Sequence, residues 1–207
     1  MPISYGTPVE GGFGTTSITV TAPAGAWAIV AIVQTDTTAP TGLNDGSAYT
    51  AAGQYNNGST FWTSWYLLGS GSGSHTIVIT GGGGPHMSAA VAIGGVNAVD
   101  IAPAGVLSNF AGTGTDAVIG PNMVTTVAGD AILCAALSNA LGTTPSAGTG
   151  YTGFTRTLNG YLWEYQTQAS SGSITPTFTS GASDAYFINA ISLKAASTSG
   201  IITAWLV

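Results

Sequence analysis

The sequence predicts an all-β protein, a single antiparallel β-sandwich of jelly-roll type built from two pseudo-repeated four-strand halves. Three observations predict it. Polar and apolar residues alternate in short runs such as Ser17-Ile18-Thr19-Val20-Thr21, the period of a half-buried strand. Turn residues punctuate the chain every ~8–12 residues, a sandwich spacing. No segment longer than a turn carries an i, i+3, i+4 apolar stripe, so helix is expected to be minimal. With 207 residues and 44% hydrophobic content, the chain is long enough to fill a core of sandwich size.

The first 16 residues, rich in Gly and Thr with Tyr5 and Phe13 as anchors, read as an arm or edge segment. The alternating strand at 17–21 ends at Ala22-Pro23-Ala24-Gly25, and Trp27 to Val33 reads as a strand buried on both faces. Helix is disfavoured there by length, β-branching and the flanking Pro23 and Pro40. Residues 34–60 hold turn chemistry, Asn44-Asp45-Gly46 and Asn56-Asn57-Gly58, around a short strand at Tyr49 to Tyr55. An aromatic strand from Phe61 follows, then a Gly/Ser turn, the alternating His75 to Thr80, a glycine break at Gly81 to Gly84, and apolar Ala89 to Ile93. Gly94 to Asp100 leads through a connection, Ile101 to Gly105, to an edge segment at Val106 to Phe110.

The second half repeats this order. Met123 to Val127 matches the first alternating strand, and Ala131 to Leu137 matches Trp27 to Val33. Tyr161 to Gln166 answers Phe61 to Tyr66, Ile174 to Thr179 answers His75 to Thr80, and Ala185 to Leu193 answers Met87 to Ile93. The expected domain plan is an arm at 1–16, a sandwich at 17–196 with halves near 17–100 and 121–196, and an apolar tail at 197–207. Four strands cannot easily cover both faces of their own sheet, so the halves are expected to pack face to face over one shared layer.

Charge narrows the function classes. Only 5% of residues are charged, against roughly 25% in ordinary soluble proteins. The net charge is -6, with Arg156 and Lys194 the only basic side chains apart from two histidines. Nucleic-acid binding rests on Lys and Arg neutralising phosphates, so it is excluded, as is an anionic membrane surface. No apolar run approaches the ~20 residues of a bilayer span. The N-terminus lacks a basic region followed by an apolar one, so no signal peptide is expected.

Candidate chemistry is sparse. Cys134, within Ala131 to Leu137, reads as a small core residue. His75 and His86 have no spaced carboxylate partner, and no Asp-rich calcium loop occurs, so no metal or other cofactor is expected. No G-x-S-x-G is present, and Gly81 to Gly84 lacks the Lys-Ser/Thr of a phosphate loop. The eight acids are scattered, mostly in turns; Glu164 could serve a glycosidase, but no second carboxylate is singled out. No catalytic residue is assigned, and the protein is expected not to be an enzyme. The aromatic residues remain. Trp65 and Trp163, read as matched positions, are expected to be core plugs. Trp62, Tyr66, Tyr161 and Tyr165 are carbohydrate-contact candidates wherever they face outward. The tail residues Ile201, Ile202, Trp205, Leu206 and Val207 are subunit-contact candidates, by strand addition or by packing back on their own sandwich.

The motif order Thr21-Ala22-Pro23-Ala24-Gly25, Gly95-Val96-Asn97-Ala98-Val99-Asp100, Gly129-Asp130 and Gln166-Thr167-Gln168-Ala169 resembles a family of β-sandwich structural proteins of tailed-phage and prophage virions. The resemblance covers roughly residues 17–195 and carries over no catalytic residue. With the near-absence of charge, the start without a signal and the apolar C-terminus, it leads to the expectation of a non-enzymatic virion protein, a capsid decoration (cement) protein or a head- or tail-fibre component. Such a protein would be made in the host cytoplasm, would be a homo-oligomer, and would contact other capsid or tail subunits. The alternative is a carbohydrate-binding sandwich module, on a tail or secreted, with glycan as its partner.

Overall fold

The computed structural model describes residues 1–197 except 57, 59, 110–116, 139–143, 155–159 and 181–182; for 84–86, 102–109 and 117 only the backbone is described. Among the described residues there are strands and no helix. The first half holds β1 (Ser4–Tyr5), β2 (Val9–Gly11), β3 (Ser17–Ala22), β4 (Ala26–Asn44), β5 (Thr50–Asn56), β6 (Thr60–Ser70) and β7 (Gly73–Gly94). The second half starts with β8 (Val96–Asn109), β9 (Ala117–Ile119), β10 (Met123–Thr125), β11 (Ala131–Ser138) and β12 (Ser146–Ala147). It continues with β13 (Thr152–Gly153), β14 (Tyr161–Thr167), β15 (Gly172–Ile174), β16 (Thr177–Thr179) and β17 (Ala185–Ala195).

One sheet has the order β1-β7-β4-β6-β5, with β2 and β3 also paired to β7. The opposite sheet is β13-β14-β11-β17-β8, and two small outer sheets, β12-β16-β9 and β10-β15, lie in the second half. Central strand β4 pairs with β6 and β7, and central strand β11 pairs with β14 and β17, all antiparallel. The flanking pairs are those the sequence repeat matches.

Both central strands are buried on both faces, so their alternating side chains feed different cores. Ala28, Val30 and Ile32 of β4 meet Ala131, Leu133, Ala135 and Leu137 of β11 in a layer shared by the two sheets. Trp27, Ile29, Ala31 and Val33 point the other way, into a core closed by Ile18, Val20, Ile77 and Ile79. Ile132, Cys134 and Ala136 likewise enter a second-half core with Val118, Met123, Phe178, Tyr186 and Ile188. The shared layer is therefore one of three cores. Each half covers the outer face of its own central sheet, which four short strands could not do.

Long bent strands make that possible. The segments 34–44 and 81–84 read in sequence as turns and a glycine break, yet β4 and β7 continue through them. Their pairing shifts register between Gln34 and Gly42, and bulges of this kind bend and twist a strand pair. Gly81 and Gly82 take φ of 69° and 85° there, a region favourable to glycine. The strand pair folds back, carrying Gly73 to Thr80 over the face of its own sheet, where β3 joins it. The connection expected at Ile101 to Gly105 is also strand, part of β8 pairing with β17. The arm becomes β1 and β2, laid along β7. The tail expected at 197–207 lies outside the described residues from 198 on.

Candidate functional site

The aromatic strands were the sequence's best pointer to a binding face. Trp62 is 0% exposed and Tyr161 1% exposed, both in the shared core. Neither presents a ring to a ligand, which corrects their candidacy as carbohydrate contacts. The physical reason is that around Trp62 and Tyr161 both strands lie between two buried layers, so neither alternating face reaches solvent there. Tyr66 and Tyr165 are half-buried and pack against the shared core. Tyr165 stacks on Tyr5 at 4.0 Å between ring centroids and meets Phe154 at 4.6 Å. Its ring is thus occupied by the protein's own side chains. Tyr5 also donates its hydroxyl to the Gln166 carbonyl at 2.9 Å. Burial, outweighing the Thr167 bond, pushes that hydroxyl up to about 12.

Trp65 and Trp163 are core residues, at 3% and 2% exposure. They are not equivalent, however: Trp65 faces the first half's own core and Trp163 the shared one. A crevice lined by Ile32, Met87, Ala89, Leu137, Tyr161 and Trp163 has no room for a water molecule.

The charged residues are more informative. Asp45 accepts from Ser47 N at 2.9 Å and lies 2.5 Å from His75 Nδ1, and the Tyr49 hydroxyl reaches it at 3.3 Å. Burial pushes the Asp45 carboxyl up, but His75 and Ser47 outweigh it and hold it below the ordinary range. His75 sits edge-on to Trp27, itself anchored by Nε1 to Gly71 O at 2.8 Å. This pair ties the turn after β4 to β7. The side chain of His86 lies outside the described residues.

Glu164 is fully buried, opposite Cys134 in the β11–β14 register. Its Oε2 accepts from Gly148 N at 2.9 Å, and its Oε1 has no hydrogen-bond partner among the described residues. Burial raises it to about 8, the Gly148 bond opposing, which favours its neutral form. Cys134 is buried, and burial with the nearby Glu164 carboxyl pushes its thiol up, the reverse of a reactive cysteine. The third cluster joins Asp100, Asp130, Ser192 and Lys194, with Lys194 Nζ 2.9 Å from Asp100 Oδ1. Among the described residues no group of three or more His, Cys, Asp or Glu could hold a metal ion.

No family model, curated protein or solved structure matches the chain.

Sequence reasoning thus missed the Asp45–His75 and Asp100–Asp130–Lys194 clusters. Their members are 30 to 94 positions apart, so no local spacing signals them. Asp100 and Asp130 do occur in two of the quoted motifs, the Asp-bearing loop and the Gly-Asp turn. The strand pairing brings those motifs together. The subunit-contact candidates Ile201, Ile202, Trp205, Leu206 and Val207 lie outside the described residues.

Proposed function

We propose that this protein is a non-enzymatic structural component of a tailed-phage virion, a capsid decoration protein or a head- or tail-fibre component, acting through subunit contacts. One observation carries the reading: among the described residues no Asp, Glu, Lys or Arg is fully exposed. The Asp45 and Asp100 side chains are 2% and 1% exposed, and Asp130 and Glu164 are buried. The described outer faces therefore carry hydroxyl, amide and backbone groups with scattered apolar side chains such as Phe13, Ile119 and Val124, and few charges. Such faces can mate over large areas without stranding unpaired charge. Strand β5, Thr-Ala-Ala-Gly-Gln-Tyr-Asn, ends its sheet with no Lys, Asp or Glu. Edges that must stay unpaired usually carry such a charge.

In this reading the apolar tail is the adaptor that docks on a neighbouring subunit. Deleting residues 200–207 is expected to leave the sandwich's melting temperature unchanged and to abolish binding to capsids or tails in co-sedimentation. Undiminished binding of the truncated chain sinks the tail's role. A wild-type chain that stays monomeric and binds no virion particle sinks the proposal itself.

A further inference from the structure

Asp130 stands at the end of the turn that leads from β10 into β11, its side chain fully buried. Oδ2 accepts from Ser192 Oγ at 2.9 Å, while among the described residues Oδ1 has no hydrogen-bond donor. Within hydrogen-bonding reach of Asp130 is the carboxyl of Asp100, which as an anion is an acceptor like itself. Two buried carboxyls in contact are stable only with a proton between them. Asp100 is bound as the anion: Thr126 N and Oγ1 donate to it, each at 2.5 Å, and Lys194 lies at 2.9 Å. The proton belongs to Asp130.

We propose that Asp100, Asp130 and Lys194 form a proton-holding latch that fastens the turn 126–130 and the end of β17 to β8, closed while the carboxyl pair keeps one proton. The latch lies where the ladder needs it. The β17–β8 register is irregular between Ala190 and Ala195, so side-chain bonds substitute for interrupted backbone pairing. Beyond it, Ala196 N donates to Gly95 O at 2.7 Å, and the chain then passes into the tail. The groups facing Asp130 are Asp100 from β8, Lys194 and Ser192 from β17, and Thr126 of the turn reaches it through Asp100.

The pH window follows from the directions. Burial pushes Asp130 up from 3.8 to about 6; Ser192 opposes this and the Asp100 charge adds to it. Its contribution is full below about 3.8 and is lost as pH rises through about 6. Burial pushes Asp100 up as well, but the Thr126 bonds and Lys194 outweigh it and hold Asp100 well below its ordinary value. Its contribution is present above 3.8 and is lost on acidification. The latch is therefore tightest near pH 4 and loosens as pH rises through about 6.

The test is a carboxyl-carbon NMR titration of the full chain from pH 3 to 8, with melting temperatures of wild type and Asp130→Asn. One Asp carboxyl is expected to titrate near pH 6, and the wild-type melting temperature to fall across that midpoint while Asp130→Asn stays flat. Absence of any Asp midpoint above about 4.5 overturns the latch, as does a variant that keeps the wild-type slope. Should Asp130→Asn not fold, Lys194→Met serves: loss of the cation should raise the high Asp midpoint, and an unchanged midpoint overturns the proposal.

Discussion

Glu164 shows how far a single residue could be read. Alternation along β14 puts it on the face opposite Trp163 and Tyr165, and its sidedness is legible from that pattern alone. Its burial was not legible, because a carboxylate in a strand ordinarily marks the solvent face. What hides it is the outer layer of the second half, β12-β16-β9 and β10-β15, which covers the back of the central sheet. The consequence is a pH effect of definite sign. Glu164 is raised from 4.5 to about 8 in the fold. Its contribution is therefore full below about 4.5 and is lost as pH rises through 8. Glu164→Gln keeps the Gly148 bond and cannot ionise. Its melting temperature is expected to match wild type near pH 5 and to exceed it by several degrees at pH 9. Equal alkaline losses in both proteins would mean that Glu164 does not carry the effect.

At the scale of elements, the chain's glycines were legible as punctuation but not as bends. Asn-Gly and Gly-Gly signals mark positive φ, and a strand that ends and a strand that folds over can use the same conformation. Gly81 to Gly84 reads as a break for that reason, and the continuity of β7 comes from its pairing with β4, which no local pattern displays. Gly95 is the crossing point between the sheets. It has φ of 76°, donates its N–H to Ala26 O at 2.8 Å, and a Cβ there would collide with the Pro2 carbonyl. Gly14 also has φ of 76°, with open space around it. Comparing the two separates strain from collision. Gly14→Ala should cost about 1 kcal/mol in urea denaturation, and Gly95→Ala about 2–4 kcal/mol, since strain and overpacking add. Equal losses would mean that the Pro2 contact is yielding and the crossing needs only the backbone conformation.

At the scale of the whole molecule, the repeat alone fits two domains or one unit, and the single sandwich expected from the sequence rests on the few strands each half has to cover its own sheet. The shared core decides it. Among the described residues eighteen buried ones, drawn from both halves, belong to that layer, so neither half could separate without exposing its inner face. Besides the Tyr5–Gln166 bond, a buried polar bond crosses between the sheets within the apolar layer: Asn189 Nδ2 of β17 donates to Ser64 Oγ of β6 at 2.9 Å, both residues buried. Residues 125 positions apart in sequence form it, so it fixes the register of one sheet on the other rather than supporting either alone. Asn189→Ala leaves the Ser64 hydroxyl without that donor, which should cost about 1–3 kcal/mol. Because the layer is common property, the loss should appear equally in both halves. Hydrogen exchange of β4 and β11 amides is the measurement, since these central strands exchange only when their own half opens. If the halves open together, protection in β4 and β11 falls by the same free energy in Asn189→Ala. A loss confined to β11 would mean that the second half opens by itself, and the molecule would then be two stacked domains instead of one cooperative sandwich.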